Sequence, residues 1–294
     1  MQVKEEKIDL EKDIQELTEN NLEEIFGLKL ITTEFQLDKL RIDTLAYDPE
    51  TNSFVIIEYK RDRSFSVVDQ GFAYLSLMVN NKAEFILEYN EKMNSNLQRG
   101  DVDWSQSRVL FVAGSFSPHQ QKAIEFKDLP IELWEIELYE NNTILYNQLK
   151  APESSESINT VTKSREVKEV SKQVKKYTID DHFKEGWDKS KKIFDKLRDR
   201  ILEIDDTITE KALKHYIAYK VNKSNFTELQ VQKSGLKIFL DDKIDNFKDP
   251  ENMLEDCTKV GHWATGDCYF KITKKDQVEY GMFLIKQVYN KFYK

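Results

Sequence analysis

Cysteine is almost missing from this chain: Cys257 and Cys268 are its whole complement. Two thiols exclude a disulfide scaffold and a four-cysteine metal site. No stretch approaches the roughly 18 consecutive apolar residues that a membrane-spanning helix needs. The opening segment MQVKEEKIDLEKD is charged, with a helical pattern and no apolar signal-peptide core. A soluble, cytoplasmic protein without membrane partners is therefore the expectation. No internal repeat is visible, which sets aside solenoid and propeller architectures.

What is present is enough for two domains of ordinary size, since the chain has 294 residues. Hydrophobic residues make up 39% and charged residues 33%, a composition that builds a packed core rather than a disordered chain. The charge is uneven. Residues 1–150 hold 16 Lys/Arg against 28 Asp/Glu, a balance of −12, and residues 151–294 hold 28 against 25, a balance of +3. The field of the first half does not draw in a polyanion from a distance, so any binding of one there depends on local cations and bound metal.

Periodicity divides the first half into alternating elements. Ile8, Leu10, Ile14, Leu17, Leu22, Ile25 and Phe26 recur at helical spacing and stop at Gly27. Strands are expected at 30–36, 41–48 and 53–60, with Asp48-Pro49 opening the turn between the last two. An apolar helix is expected over 65–80, a strand over 83–89, a polar loop to 107 and a strand over 108–113. A short helix follows Pro118, and a strand over 131–139 closes the half. Helix, three strands, helix and further strands imply a mixed α/β layer structure. Residues 151–176 are rich in Ser, Lys and Glu and read as a linker that turns helical towards its end. The second domain, 177–294, is expected to be α+β, with helices over 183–203 and 209–219 and strands over 226–231 and 235–240. A short helix at 250–255, a strand near 268–273 and a terminal helix over 275–291 complete it.

The stretch RIDTLAYDPETNSFVIIEYKR, residues 41–61, concentrates the chemistry. Strand alternation puts Asp43, Leu45 and Tyr47 on one face and Ile42, Thr44 and Ala46 on the other. Glu58 and Lys60 share a face, with Ile57 and Tyr59 pointing away. A short turn makes the two strands antiparallel and brings Asp43 near Glu58. Two carboxylates and a backbone carbonyl can hold Mg2+ or Mn2+. Lys60 can orient a water or stabilise negative charge on a phosphate. The plain alternative is that all three are half-exposed surface residues. Against it, the pair emerges from the apolar strand VIIEYK, of the kind covered on both faces of a sheet. Gln70 and Tyr74 share one helix face at i,i+4 spacing, where they can donate to a phosphate or simply anchor a core helix. Arg41, Arg61 and Arg63 can grip a polyanion backbone or serve as ordinary surface charge.

Residues 9–90 resemble the restriction-endonuclease-like, PD-(D/E)XK nuclease superfamily, and within it the NucS/RecB-like branch. The pieces that carry the likeness are NNLEEIFG, RIDTLAYD, FVIIEYKR and DQGFAYLSLMV. The resemblance implies a mixed sheet flanked by helices and places Asp43, Glu58 and Lys60 at the motif positions. It matches Gln70 and Tyr74 to the Q-x-x-x-Y element after them. It also implies a helix-borne glutamate, for which Glu23 is the first candidate, followed by Glu16 and Glu19. A tyrosine between Glu58 and Lys60 departs from the family's usual aliphatic residue.

Residues 177–294 resemble DUF5655, through KALKHYIAYK, SNFTELQVQKSGLKIFL and DCTKVGHWATGD. His262 and Trp263 lie in a glycine-containing turn. A base or peptide group can stack on Trp263 or Tyr219 near Lys220, Lys233 or Lys237, or else Trp263 packs a core and His262 caps a loop. The expected role is substrate recognition or protein contact, including a homodimer. The functional expectation is a metal-dependent nuclease acting on DNA in repair or defence. The alternatives are a non-catalytic nucleic-acid or protein interaction module on the same fold, and hydrolysis of RNA or a small nucleotide.

Overall fold

The computed structural model describes residues 4–6, 11–61, 66–141, 143–152, 155–162, 164–259 and 264–292. They form two compact units, residues 1–176 and 177–294.

In the first unit the elements run β1 (Glu5–Glu6), α1 (Glu11–Asn20), α2 (Leu22–Phe26), β2 (Lys29–Leu37), β3 (Leu40–Asp48) and β4 (Ser53–Lys60). They continue as α3 (Val67–Asn80), α4 (Lys82–Met93), β5 (Arg108–Ala113), α5 (Pro118–Ala123), β6 (Ile131–Tyr139) and β7 (Ile144–Leu149). The seven-stranded sheet has the order β1-β6-β5-β4-β3-β2, with β7 also paired to β6. β4, β5 and β6 are mutually parallel, and β2, β3 and β4 form an antiparallel meander. This is the mixed α/β sheet expected from the sequence.

Both faces of the sheet are covered, which is why β4 is apolar along its length. On one face Ile14, Leu22 and Leu28 pack against Ala46, Val55, Ile57, Tyr59, Leu110 and Val112. On the other, Phe72, Leu75 and Met78 of α3 and Phe85 of α4 pack against Leu45, Phe54, Ile56 and Phe111. Gly71 lets α3 lie close to the sheet, since a Cβ there would fall 2.4 Å from Ile131 Cδ1.

Several expectations need correction. The single helix over 8–26 is broken at Asn21, whose side-chain amide donates to the Leu17 carbonyl at 2.8 Å. Gly27 ends α2 at φ 68, the left-handed geometry that glycine adopts freely. Residues 83–89 belong to α4, not a strand: Phe85, Ile86 and Tyr89 meet the core at helical spacing. The segment expected as a linker folds onto the first unit as α6 (Ile158–Val161) and α7 (Arg165–Ser171), burying Ile158, Val170 and Val174. Asp128 fastens it, accepting from the Ile158 N–H at 2.8 Å and the Ser157 hydroxyl at 2.5 Å.

In the second unit α8 (Asp188–Leu202) precedes β8 (Thr209–Ala212), β9 (Ile217–Val221), β10 (Ser224–Gln232) and β11 (Gly235–Leu240). Then follow β12 (Glu255–Asp256), β13 (Cys268–Ile272) and α9 (Val278–Tyr289). The sheet is antiparallel in the order β12-β13-β11-β10-β9-β8. Both helices share one core with Ile217, Tyr219, Leu229, Ile238 and Phe270. Residues 209–219 are therefore strands and not a helix, because Ile217, Tyr219 and Val221 recur with period two. Residues 250–255 hold no helix.

The tight seat of α3 generates a test. Gly71→Ala should lower unfolding stability by about 1–3 kcal/mol through overpacking. Ile131→Val in the same chain should recover part of that loss, measured by urea denaturation, whereas simple additivity of the two changes would contradict the contact.

Candidate active site

Glu58 is the centre of the site. It lies near the C-terminal end of β4, where β5 runs parallel to it, and is only 4% exposed. A buried carboxylate must be met by donors or lose its charge. Three meet it. Lys60, two residues along the same strand, donates to Oε1 at 2.7 Å. Gln70 Nε2 donates to the same oxygen at 2.8 Å. The Tyr74 hydroxyl, one turn further along α3, reaches Oε2 at 2.8 Å. Gln70 also donates to the Tyr74 oxygen at 3.2 Å, so both amide protons are used. Ser66 caps α3 by accepting from the Asp69 N–H at 3.3 Å, which fixes where the helix begins and hence where Gln70 points.

Asp43 stands beside this cluster at a corner of β3. Thr33 and Thr44 face α1, where both donate to Glu19. Yet Phe35 and Ile42, two positions away on their strands, pack into the core on the α3 side together with Leu45. Both strands reverse face between these pairs, at the level of Glu34 and Asp43. Glu34 takes φ 53 there. The expected alternation, with Ile42 opposite Leu45, therefore fails at the one residue that matters. The reversal frees the Asp43 carboxylate from the strand pattern, and its Oδ2 accepts the Tyr59 N–H at 3.1 Å.

Charge at the site is out of balance. Burial is the largest cause, and the Glu58 charge the next, that pushes the Asp43 pKa up to about 6. The Tyr59 N–H, Lys60 and Arg41 offset only part of this. Arg41 Nη2 is 4.0 Å from Asp43 Oδ1, and the exposed guanidinium also pairs with Glu34 at 3.7 Å. Its carbonyl lies 3.1 Å from the Tyr74 hydroxyl, which ties β3 to α3.

These donors suit a hard divalent cation: two carboxylates whose mutual repulsion a cation relieves. Among the described residues no group of three or more His, Cys, Asp or Glu side chains is arranged to hold a metal. Asp43 and Glu58 would thus hold an ion as a pair, with water, main-chain carbonyl and phosphate oxygens filling the remaining positions.

The other candidates fall elsewhere. Glu23 and Glu16 are exposed, and it is Glu19, nearer the start of α1 than Glu23, that reaches the sheet. Arg61 is exposed at the end of β4, its main-chain N–H donating to Glu11 at 2.7 Å. Arg63, His262 and Trp263 lie outside the described residues. Tyr219 is fully buried, with its hydroxyl donating to Glu210 at 2.7 Å, so it offers no stacking surface. Cys257 and Cys268 are buried thiols that form no disulfide, donating to the Gly266 and Asp242 carbonyls at 3.3 Å. Sequence reasoning missed Gln15, Thr44 and Tyr59. The signal was there: Glu11, Gln15 and Glu19 repeat every four residues, a polar stripe where a core-facing helix has no need of one.

The fold and site together define a mixed α/β unit with a carboxylate pair, a lysine and a glutamine–tyrosine face, followed by an antiparallel α+β unit. The chain belongs to the same family as an uncharacterized protein of Haemophilus influenzae, with 43% identity over 287 residues, 97% of this chain and 95% of that one. Residues 179–291 match the domain of unknown function DUF5655. Among solved structures, an EndoMS–dsDNA complex is 21% identical with a TM-score of 0.28, over 41% of this chain and 43% of that one. A repair endonuclease from Pyrococcus abyssi is 21% identical with a TM-score of 0.23, over 42% and 45%. Pyrococcus furiosus SfsA in complex with Ca2+ is 13% identical with a TM-score of 0.25, over 48% and 63%. The chain spans less than half the length of the two endonuclease chains it matches.

The raised Asp43 pKa has a signed consequence. Below about pH 4 the group is protonated folded or unfolded, and above about pH 6 it is charged in both, so the folded state is penalised increasingly across that window. Asp43→Asn keeps an oxygen for the Tyr59 N–H but removes the charge. It should stabilise the metal-free protein at pH 7.5 by up to about 3 kcal/mol, taking about 1.4 kcal/mol for each pH unit. The gain should vanish near pH 4. Melting curves across this range check it, and a variant less stable than wild type at pH 7.5 contradicts it.

Proposed function

We propose that the first unit hydrolyses phosphodiester bonds with Mg2+ or Mn2+ held by Asp43 and Glu58. The observation that carries this reading is the convergence of Lys60, Gln70 and Tyr74 on the buried Glu58 carboxylate beside Asp43. A structural ion pair needs one cation. Here an amide and a phenol from a separate helix are added, and a second, under-compensated carboxylate is left alongside. Such a surplus of negative charge is what a divalent ion relieves.

When bound, the ion acidifies a coordinated water and withdraws charge from the phosphate. The rest is done by the chain. Gln70 and Tyr74 hold the Glu58 carboxylate in one rotamer. Lys60 has a flexible stem and a point charge, and it would stabilise a phosphate oxygen gaining charge beside Glu58. Arg41, exposed next to Asp43, is placed to hold a neighbouring phosphate. DNA as substrate, in a repair or defence setting, follows from the likeness of residues 9–90 to PD-(D/E)XK nucleases. The second unit is assigned substrate recognition or protein contact, a second copy of the chain included.

A second reading has its own observations. The Lys60–Glu58 pair at 2.7 Å satisfies the buried charge without an ion, and the first half carries −12. Both suit a non-catalytic interaction module. The two readings part in one assay, cleavage of single-stranded, flapped and duplex DNA with Mg2+ or Mn2+. The nuclease reading expects metal-dependent cleavage, and Asp43→Asn, Glu58→Gln and Lys60→Ala should each lower it by about 100-fold or more. Tyr74→Phe, which removes one of the donors on Glu58, should lower it by only about 10-fold. Binding without cleavage, unchanged in these variants, favours the module.

A further inference from the structure

Tyr59, between Glu58 and Lys60 where an aliphatic residue is usual in the resembling nucleases, has a defined place in the structure. Tyr59 points away from Glu58 and Lys60 toward α1 and is 1% exposed. A phenol buried this far needs a partner for its hydroxyl. That partner is Thr44 Oγ1, 3.2 Å away and itself fully buried. Thr44 also bonds to Glu19, which accepts from Thr33 at 2.9 Å through its other oxygen. A carboxylate only accepts. The single Thr44 proton is therefore shared between Glu19 and the Tyr59 oxygen, and Thr44 joins the two. Gln15 completes the path: its side-chain amide donates to Glu19 at 3.1 Å and to the Asp43 carbonyl at 3.0 Å. Because the Tyr59 N–H donates to the Asp43 carboxylate, the path closes on itself.

We propose that Tyr59, Thr44, Glu19 and Gln15 form a closed positioning ring that holds Asp43 ready for the ion, and that Glu19 serves this ring rather than the ion; this rests on the metal-site reading above. The geometry explains why such a ring is needed. Asp43 sits where β2 and β3 reverse face, and the last paired residues of β3 and β4 are Thr44 and Ile57. At that point β4 no longer pairs with β3, and Asp43 is held in the sheet from the β2 side alone. The ring replaces that pairing from behind, gripping the carbonyl through Gln15 and the carboxylate through the Tyr59 N–H. Glu19 has both oxygens engaged by three donors, from α1, β2 and β3. As a ligand it would share its charge with three donors that already hold it, Gln15, Thr33 and Thr44.

The test is Mn2+ affinity, by calorimetry on the full chain, together with turnover at saturating Mn2+. Tyr59→Phe removes one oxygen from the ring and leaves every group on the Glu58 side. It should weaken Mn2+ binding by about 10-fold, as loss of a hydrogen-bonding partner behind a ligand does. Turnover at saturating metal should stay within about 3-fold of wild type, because the ion, once bound, meets the same ligands. Gln15→Leu cuts the ring at the helix surface and should give the same shift if Tyr59→Phe folds poorly. Glu19→Gln keeps an oxygen for Thr44 and should lose no more than about 10-fold. Unchanged affinity in Tyr59→Phe and Gln15→Leu overturns the ring. Loss of all Mn2+ binding in Glu19→Gln shows a ligand instead and also overturns it. A wild-type chain that binds no Mn2+ overturns the metal-site reading itself, an outcome distinct from the other two.

Discussion

Burial of one carboxylate organises the first unit. Glu58 sits near the end of a strand covered on both faces, where an unmet charge costs several kcal/mol, on the order of the whole stability of a domain. The fold meets that cost from three directions, with Lys60 on its own strand and Gln70 and Tyr74 on α3. For α3 to deliver them, its start must be capped by Ser66 and its axis brought close to the sheet at Gly71. The Arg41 carbonyl near Tyr74 then ties β3 to the same point. One charged group thus sets the seat of a helix and the register of its polar face.

Asp43 is the counterpart that the fold compensates only in part. The face reversal of β2 and β3 turns it out of the strand pattern, and the α1 stripe of Glu11, Gln15 and Glu19 braces the strand ends behind it. Two carboxylates result, one met closely by Lys60, Gln70 and Tyr74 and one only in part, by the Tyr59 N–H and a guanidinium 4.0 Å away. The asymmetry means that stability of the empty protein and readiness for a cation oppose each other at Asp43, as is common where function stores strain.

Much of this grouping was legible in the sequence. Alternation put Glu58 and Lys60 on one face, and helical spacing put Gln70 and Tyr74 together; both are properties of regular elements. What escaped depended on tertiary context. The positive φ of Glu34 has no marker, since glutamate carries no preference for it, so the face reversal at Asp43 was invisible. Residues 82–93 mix helix-forming and β-favouring side chains, and only the seating of Phe85 on the sheet decides between them. Residues 209–212 favour a helix by composition, but the pairing of β8 with β9 makes them a strand. The segment 151–176 looked like a linker because its few apolar residues are widely spaced. Three of them, Ile158, Val170 and Val174, are nonetheless buried. Helix position alone does not say which turn faces the strand ends, so it does not separate Glu19 from Glu23.

The central claim is that Asp43 and Glu58 are two ligands of one divalent ion. The measurement that meets it directly is the anomalous signal from a crystal soaked in Mn2+. The account predicts a peak between the two carboxylates, with Lys60 drawn away from Glu58 Oε1 and Gln15 still on the Asp43 carbonyl. A site without a peak, with Lys60 remaining on Glu58, would contradict it.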